Sequence, residues 1–496
     1  MFALVPLVDP TEWIRVDDPD APGALARSAT GAVLAAPPTD GTRWRAESVP
    51  ELTEPIAPEG DGGDPAALTN ADLWHADGIT GRGVKIAVFD LAWYLGDSSP
   101  VAVGDPISHD CYVSPTCEVP FDPLRPNTAG EGGHHGWACA EAIHTVAPGA
   151  ELHVVRADSF TLYENAVDWA IREGVDVVSM SMSFYNDSFY DGTGPHDDPI
   201  RRLAEAGVLM VTSSGNDAVL NWLGPYVDAN DDGRLDGDAG DAVSLYLDKS
   251  TAVYLSWNQF GARCGDTDLD LVVLDAAGRV VGQSTTAQVH TDEGPECKPV
   301  DIARPVVEDA GWFRVEVHHR RGARVGLDVQ LLSRAGTFAD PSPGSVTDPA
   351  VHPLAVAVGA VRAGRYWEGP PEAYSSWGKT RMGLPKPEIM GPDGLSGTAY
   401  GPVAFYGTSA STPVVAGLVA LVMEDDPTLG SREAFERLQG WAHRPSPQPG
   451  EPPDLYGAGL ARLPVRDPSG GECGRRPLWM CVLAPLWLRR RAATGS

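Results

Sequence analysis

The chain has 496 residues, a formal net charge of -31 and 43% hydrophobic residues. This length exceeds a usual single domain and supplies apolar material for a sizeable core plus additions. The acidic balance, with no Lys/Arg-rich groove or stacking motif to offset it, excludes nonspecific binding to nucleic acid or anionic lipid.

Over residues 1–73, Asp17-Asp18-Pro19-Asp20, Ala36-Pro37-Pro38 and the stretch from Pro55 to Asp64 break any long periodicity, so an irregular extension is expected. Residues 74–238 read differently. Gly83-Val84-Lys85-Ile86-Ala87-Val88-Phe89-Asp90 is a buried parallel strand delivering a carboxylate at its C-terminal end, where open α/β sheets place their sites. Gly132-Gly133-His134-His135-Gly136 precedes a small, mostly apolar run from Trp137 to Ile143, which puts His135 at a helix start. Strand-like runs follow at 152–155, 175–180 and 208–212, with helical spacing at 163–172 and 199–206 between them. Such alternation predicts a parallel sheet covered by helices on both faces. The last of these strands runs into Ser213-Ser214-Gly215-Asn216, whose Asn216 amide can donate to a developing oxyanion.

Beyond it, the stretch from Asp228 to Asp236 sets oxygen ligands at alternating positions with glycine sixth, the first half of a calcium loop. Asp228, Asn230, Asp232 and Asp236, with Arg234 through its backbone carbonyl, would be the ligands of a structural calcium ion. Ala239 stands twelfth, where a bidentate Glu is usual, so a solvated acidic turn is the competing reading. Residues 239–343 carry short strand candidates at 243–247, 252–257, 269–274, 312–317 and 325–329, separated by Gly and Asp turns. They predict an inserted antiparallel β-sandwich or jelly roll, serving substrate docking or shielding.

The α/β pattern resumes over 344–465, with a strand at 354–358 and helices at 411–423 and 433–441. Here Gly407-Thr408-Ser409-Ala410-Ser411-Thr412-Pro413 places an unhindered hydroxyl where an extended segment turns into an apolar helix. Such a serine becomes a nucleophile only with a histidine base and a group to orient it, and His135 and Asp90 are the candidates. Each residue alone is more often a cap, a turn or a satisfied core group; their order at strand and helix boundaries carries the inference. Cys111 with Cys117, and Cys264 with Cys297, are local pairs that suit an oxidising compartment, whereas Cys139 in the His135 helix reads as buried packing.

The order Asp, His, Asn, Ser, with these surroundings, resembles the subtilisin-like serine proteases. The family's His-Gly motif matches His135-Gly136, its oxyanion Gly-Asn matches Gly215-Asn216, and its Gly-Thr-Ser with a proline four residues on matches Gly407-Thr408-Ser409 and Pro413. Ala147 to Leu152, Gly174 to Ser183, Tyr374 to Gly378 and Lys386 to Ile389 resemble further family segments. The resemblance implies a subtilisin-like α/β fold and a serine endopeptidase acting through an acyl-enzyme. In it Asp90 orients His135, Ser409 attacks, and Asn216 with the Ser409 amide receives the oxyanion. An extended peptide or protein substrate would lie along Ser181, Met182 and Ser183, flanked by Gly215. The chemistry implies no cofactor, a monomer is expected, and residues 1–73 would be an irregular extension or a reduced propeptide.

Three departures stand out: Leu91-Ala92 where the family has Thr or Ser and then Gly, Trp137 where it has Thr, and Ser183 where Gly is common. They motivate a catalytically silent binding protein as the alternative, with a serine esterase behind it. Residues 466–496 form a linker and tail in which the run from Leu478 to Leu488 precedes Arg489-Arg490-Arg491 and resembles bacterial C-terminal sorting signals. That resemblance implies an extracellular or cell-surface bacterial location and membrane-associated sorting machinery as a partner. The run contains Pro485 and is too short for a transmembrane helix, while Met1 to Val8 lacks the positive region of a secretory signal.

Overall fold

The computed structural model describes residues 62–94, 101–121, 133–192, 194–261, 264–288, 298–400, 404–446, 451–452 and 454–466. Ahead of these, Trp13–Arg15, Ala26–Ser28 and Val33–Leu34 form a small antiparallel sheet. Cys297, Cys473, Cys481 and the sorting-like tail lie outside the described residues.

Seven parallel strands form the central sheet, in the order Ile389–Asp393, Val356–Arg362, Leu209–Ser213, Val177–Met180, Lys85–Asp90, Glu151–Arg156 and Ile107–Asp110. Its middle strands are buried along their whole length, which is why their sequences are continuous apolar runs rather than alternations. Helices His135–Val146, Thr408–Asp425 and Ser431–Trp441 share one apolar core on one face, while Phe160–Glu173 and Asp197–Glu205 pack into a second on the other. Local chemistry sets the ends: Ser159 caps Phe160–Glu173 by accepting from the Leu162 amide, and Gly174 stops it at φ 63°. Thr408–Asp425 is buried all round from Thr408 to Val422, the signature of a helix threaded through a core.

The insertion is a sandwich of two antiparallel sheets. One has the order Val280–Ser284, Asp268–Leu274, Gly311–Arg321, Val243–Leu247, Thr337–Phe338, and the other Val300–Ala303, Val253–Trp257, Asp328–Ser333, Asn221–Pro225. Asn221–Pro225 begins well before the boundary expected at 239, because it pairs with Asp328–Ser333 and completes that sheet. The strand expected at 325–329 lies at Asp328–Ser333; Val325 is 95% exposed and Gly326 has φ 71°, so this part is a turn. Within the extension expected to be irregular, Pro65–Thr69 is helical: Asp64 caps it through the Ala66 amide and Pro65 occupies its first position. Cys111 and Cys117 are disulfide-bonded, as is Cys264. No described helix is long and apolar enough to cross a membrane.

The sandwich docks on the segment that follows Met180. Tyr185 packs among Ala252, Tyr254 and Leu332, with the Arg334 guanidinium 4.7 Å from its ring centre. Lys298 donates to the buried Asp187 carboxylate at 2.6 Å, and His196 meets its other oxygen at 3.3 Å. Burial alone would raise the Asp187 pKa; the His196 hydrogen bond and the Lys298 charge outweigh it and hold the group well below the usual carboxylate range. Close by, Asp348 accepts from Ser188 Oγ at 2.6 Å and is pushed up to about 6 by burial.

Lys298→Met leaves the buried Asp187 carboxylate with His196 but without its ammonium partner and is expected to cost about 1–3 kcal/mol in urea unfolding; an unchanged midpoint would show that the pair does not fasten the insertion. Asp348 has the opposite linkage. Its raised folded-state pKa gives stability that is present below the unfolded value and lost as pH rises through about 6. Asp348→Asn should therefore gain on the wild type between pH 5 and roughly 7.5, read as the difference in melting temperature across that range.

Candidate active site

Three C-terminal ends of the parallel sheet supply the site. Asp90 closes Lys85–Asp90 and is fully buried, with Oδ1 accepting from the Ala92 amide at 2.9 Å and Oδ2 meeting His135 Nδ1 at 2.7 Å. The absence of a hydroxyl or glycine after Asp90 is thus met by a backbone donor. Trp93 donates its indole N–H to the Asp90 and Val155 carbonyls, and Trp137 donates to the Trp93 carbonyl. The two indoles pack edge to face at 5.3 Å. Gly136 is required here because a Cβ would come within 2.9 Å of the Trp93 ring. Trp93 and Trp137 therefore form an aromatic support for the Asp90 and His135 backbones, while Ala92 contributes its backbone amide to Asp90. His135 is the first residue of its helix, as expected, and Phe405 sets a ring edge against it at 5.7 Å.

Ser409 is in the first turn of Thr408–Asp425, where amide N–H groups have no intrahelical acceptor. Pro413 lies inside the same helix and has no N–H for the Ser409 carbonyl. That carbonyl accepts instead from Ser181 Oγ at 3.2 Å and from Cys139 Sγ at 3.6 Å. Burial first and the Asp90 charge second push the Cys139 thiol well above its ordinary pKa, so it stays protonated and can donate. Cys139 is the free cysteine among the described residues, and its sulfur converges with ligand atoms of Asp90 and His135 to within 4.8 Å. Sequence reasoning reads it as packing; the signal for its role is Pro413, which leaves the carbonyl four residues earlier, that of Ser409, in need of a donor from another segment. The Ser409 hydroxyl donates to the Ser181 carbonyl at 3.4 Å.

Asn216 follows Gly215, which sits at φ 105°, where a Cβ would meet Asp217 Oδ2 at 2.8 Å. Its Oδ1 accepts from the Thr408 amide and hydroxyl, both at 3.0 Å, which fixes the carboxamide orientation and turns the amino group to the opposite side. Ser181, Ser183, Ser213, Gly215, Asn216, Thr408 and Ser409 line one small polar cleft. Met182 is not in it: alternation along the extended segment turns its side chain into the core, and it is 1% exposed. Behind the serine turn, Asp393 accepts from the Gly407 amide at 3.1 Å and from the Tyr374 hydroxyl, and burial pushes its carboxyl up to about 7. On the far side of the histidine helix, the Glu141 carboxylate accepts from the Thr398 amide and hydroxyl and from the Ala399 amide, pinning the segment that leads to Phe405. Neither buried acid carried a sequence signal, because both act through distant backbone amides.

The loop from Asp228 to Asp236 is organised without convergence of its acids. Asp228 takes the Asp232 and Gly233 amides and a 2.6 Å contact from Arg324, Asn230 takes the Asp232 amide, Asp232 that of Arg234, and Asp236 that of Ala229. Among the described residues, Asp90, His135 and Cys139 form the cluster of three or more ligand-type side chains close enough to share an ion, and the loop does not. Its carboxylates are engaged by backbone N–H groups and by Arg324, an arrangement that does not fit a calcium ion as it stands.

The family description Peptidase S8, the subtilase family, matches residues 124–244 and 326–459, just over half of the chain. This span contains His135, Asn216 and Ser409 and begins after Asp90. No curated protein sequence matches the chain. Among solved structures, the Clostridium perfringens CspB protease aligns with a TM-score of 0.54 at 17% identity, covering 81% of this chain and 97% of that one. MycP1 from Mycobacterium smegmatis aligns at 0.41 and 18% identity over 89% and 96%. A mutant of the epidermin leader peptide processing serine protease from Staphylococcus aureus aligns at 0.44 and 13% over 84% of each. The CspB likeness is one of fold. With the family match spanning both halves of the α/β domain and skipping most of the sandwich, the chain belongs to the subtilase family of subtilisin-like serine endopeptidases.

Proposed function

We propose that this subtilase hydrolyses peptide bonds through an acyl-enzyme formed on Ser409, with Asp90 and His135 completing the triad. The observation that carries the reading is the buried 2.7 Å contact between Asp90 Oδ2 and His135 Nδ1. An Nδ1–H donated to a carboxylate leaves Nε2 as the basic nitrogen and stabilises the imidazolium formed when that nitrogen takes a proton. The Ser409 hydroxyl swings from the Ser181 carbonyl to Nε2 as Oγ attacks the scissile carbonyl. Negative charge on the carbonyl oxygen is met by the Asn216 side-chain amide and the Ser409 backbone N–H. His135 then protonates the leaving amine, and water, deprotonated by the same nitrogen, releases the acid. An extended peptide would pair along 181–183, with Ser181, Ser183 and Gly215 facing it and Met182 contributing backbone only.

An extracellular or cell-surface location follows from the same reading and is supported by the Cys111 to Cys117 disulfide. Calcium at the 228–238 loop would have to displace Arg324 from Asp228. If calcium does bind, it should raise the melting temperature, and Arg324→Ala should enlarge the rise; equal melting curves in calcium and in chelator would rule out occupancy.

An alkyl fluorophosphonate should add once to the folded wild-type protein and not to Ser409→Ala, read by intact mass. A folded wild type that stays unlabelled would sink the working triad and put the silent binding protein ahead. Asp90→Asn should lower kcat by about 10⁴ by giving His135 the wrong tautomer, and Asn216→Ala by about 10²–10³ by removing one oxyanion donor. Turnover of esters with none of peptide amides would instead identify an esterase.

A further inference from the structure

The two oxyanion donors come from segments far apart in the chain: the Thr408 amide to Asn216 Oδ1 contact joins residues 192 positions apart. Something must hold the two segments in register to a few tenths of an ångström, since donors help only when aimed at the oxygen of the transition state. One segment is fixed by the backbone around Tyr374. The Tyr374 carbonyl accepts from the Ala218 amide at 3.1 Å, and the Ser376 amide donates to the Gly215 carbonyl at 2.9 Å. Ser376 Oγ accepts from the Asp217 amide at 3.0 Å. Residues 215–218, with Asn216 among them, are thereby laid against 374–376.

The other segment is fixed by Asp393. This carboxylate ends the strand Ile389–Asp393 and is fully buried. Its Oδ2 accepts from the Gly407 amide at 3.1 Å and from the hydroxyl of the same Tyr374. Gly407 is at φ 101°, a conformation that side-chain-bearing residues rarely adopt, and it directly precedes Thr408 and Ser409, so the direction of its peptide plane sets the direction of the Ser409 amide. Ser411 Oγ adds contacts to the Gly391 and Pro392 carbonyls of the same strand. Asp393 is fully buried and Tyr374 is buried, and neither lines the cleft. A buried carboxylate is an expensive way to end a strand. What it supplies here is one oxygen that takes both an amide and a phenol in strong, directional bonds.

We infer that Tyr374 and Asp393 are positioning residues that tie the Gly407 turn to the Asn216 loop and so set the geometry of the oxyanion site. This rests on the serine-protease reading of that site.

The test compares Tyr374→Phe, Asp393→Ala and Asp393→Asn in the full chain, with concentrations set by active-site titration so that misfolded protein does not count. Each variant is assayed for kcat and KM on a peptide amide. Each is also assayed for affinity to a peptide boronic acid, which forms a tetrahedral adduct on Ser409, and to the matching peptide carboxylic acid. For Tyr374→Phe and Asp393→Ala the expected result is a kcat loss of about tenfold with KM within about twofold, and boronate affinity falling by the same factor as kcat. Affinity for the carboxylic acid should be unchanged, and Asp393→Asn, which keeps an oxygen acceptor, should recover most of the loss. Unchanged kcat and boronate affinity would overturn the inference, as would a loss of kcat with no matching loss of boronate affinity or an Asn variant as impaired as the Ala variant. Fluorophosphonate separates the two levels: an unlabelled wild type defeats the protease reading itself, whereas a labelled wild type with variants reacting at its rate defeats only the positioning role.

Discussion

The carbonyl that Pro413 deprives of a helical partner is the constraint around which the site is assembled. A proline five residues into a buried helix would leave a polar oxygen unsatisfied in the core, at a cost of about 1–3 kcal/mol. Ser181 and Cys139 remove that cost by donating to it. In doing so they bring the substrate-flanking segment and the histidine helix onto the first turn that carries Ser409. Three elements from separate parts of the sheet thus converge on one backbone atom of the candidate nucleophile.

Around this point the supports are arranged in shells of rigid, buried groups. Trp93 and Trp137 brace the Asp90 and His135 backbones, Glu141 fixes the segment that brings Phe405 to the imidazole edge, and Thr408 fixes the Asn216 carboxamide. The bonds of Trp93, Trp137 and Glu141 reach backbone groups, so little conformational freedom remains to be lost when a substrate binds. The departures from the usual family pattern after Asp90 and His135 belong to this bracing.

Most of the α/β layer was legible because buried parallel strands announce themselves as apolar runs and because each candidate catalytic side chain sits at an element boundary, Asp90 at a strand end and His135 and Ser409 at helix starts. The helices at 160–173, 197–205, 408–425 and 431–441 overlap the spacing-based expectations for the same physical reason. What escaped was of two kinds. Edge and partner strands such as Ile107–Asp110, Val280–Ser284 and Asn221–Pro225 owe their conformation to pairing rather than to their own composition, so the sandwich boundary was drawn too late. The side chains that position the site, Glu141, Tyr374 and Asp393, act over long sequence separations, and nothing local marks them. Asp228 likewise has a partner that nothing local marks, Arg324, 96 residues away.

Placing a whole sandwich between Asn216 and Ser409 also bears on when activity can arise. A site whose decisive contacts span so much sequence has a high contact order, and loop-closure entropy must be met before those contacts reward it. The central sheet itself is completed by Ile389–Asp393, and Leu463 near the end of the α/β region hydrogen-bonds back to Thr69 and Asn70. A nascent chain emerging from the ribosome therefore exposes Asp90 and His135 long before Ser409 can join them. Synthesis order thus leaves the candidate site incomplete until the strand Ile389–Asp393 and Ser409 have been made.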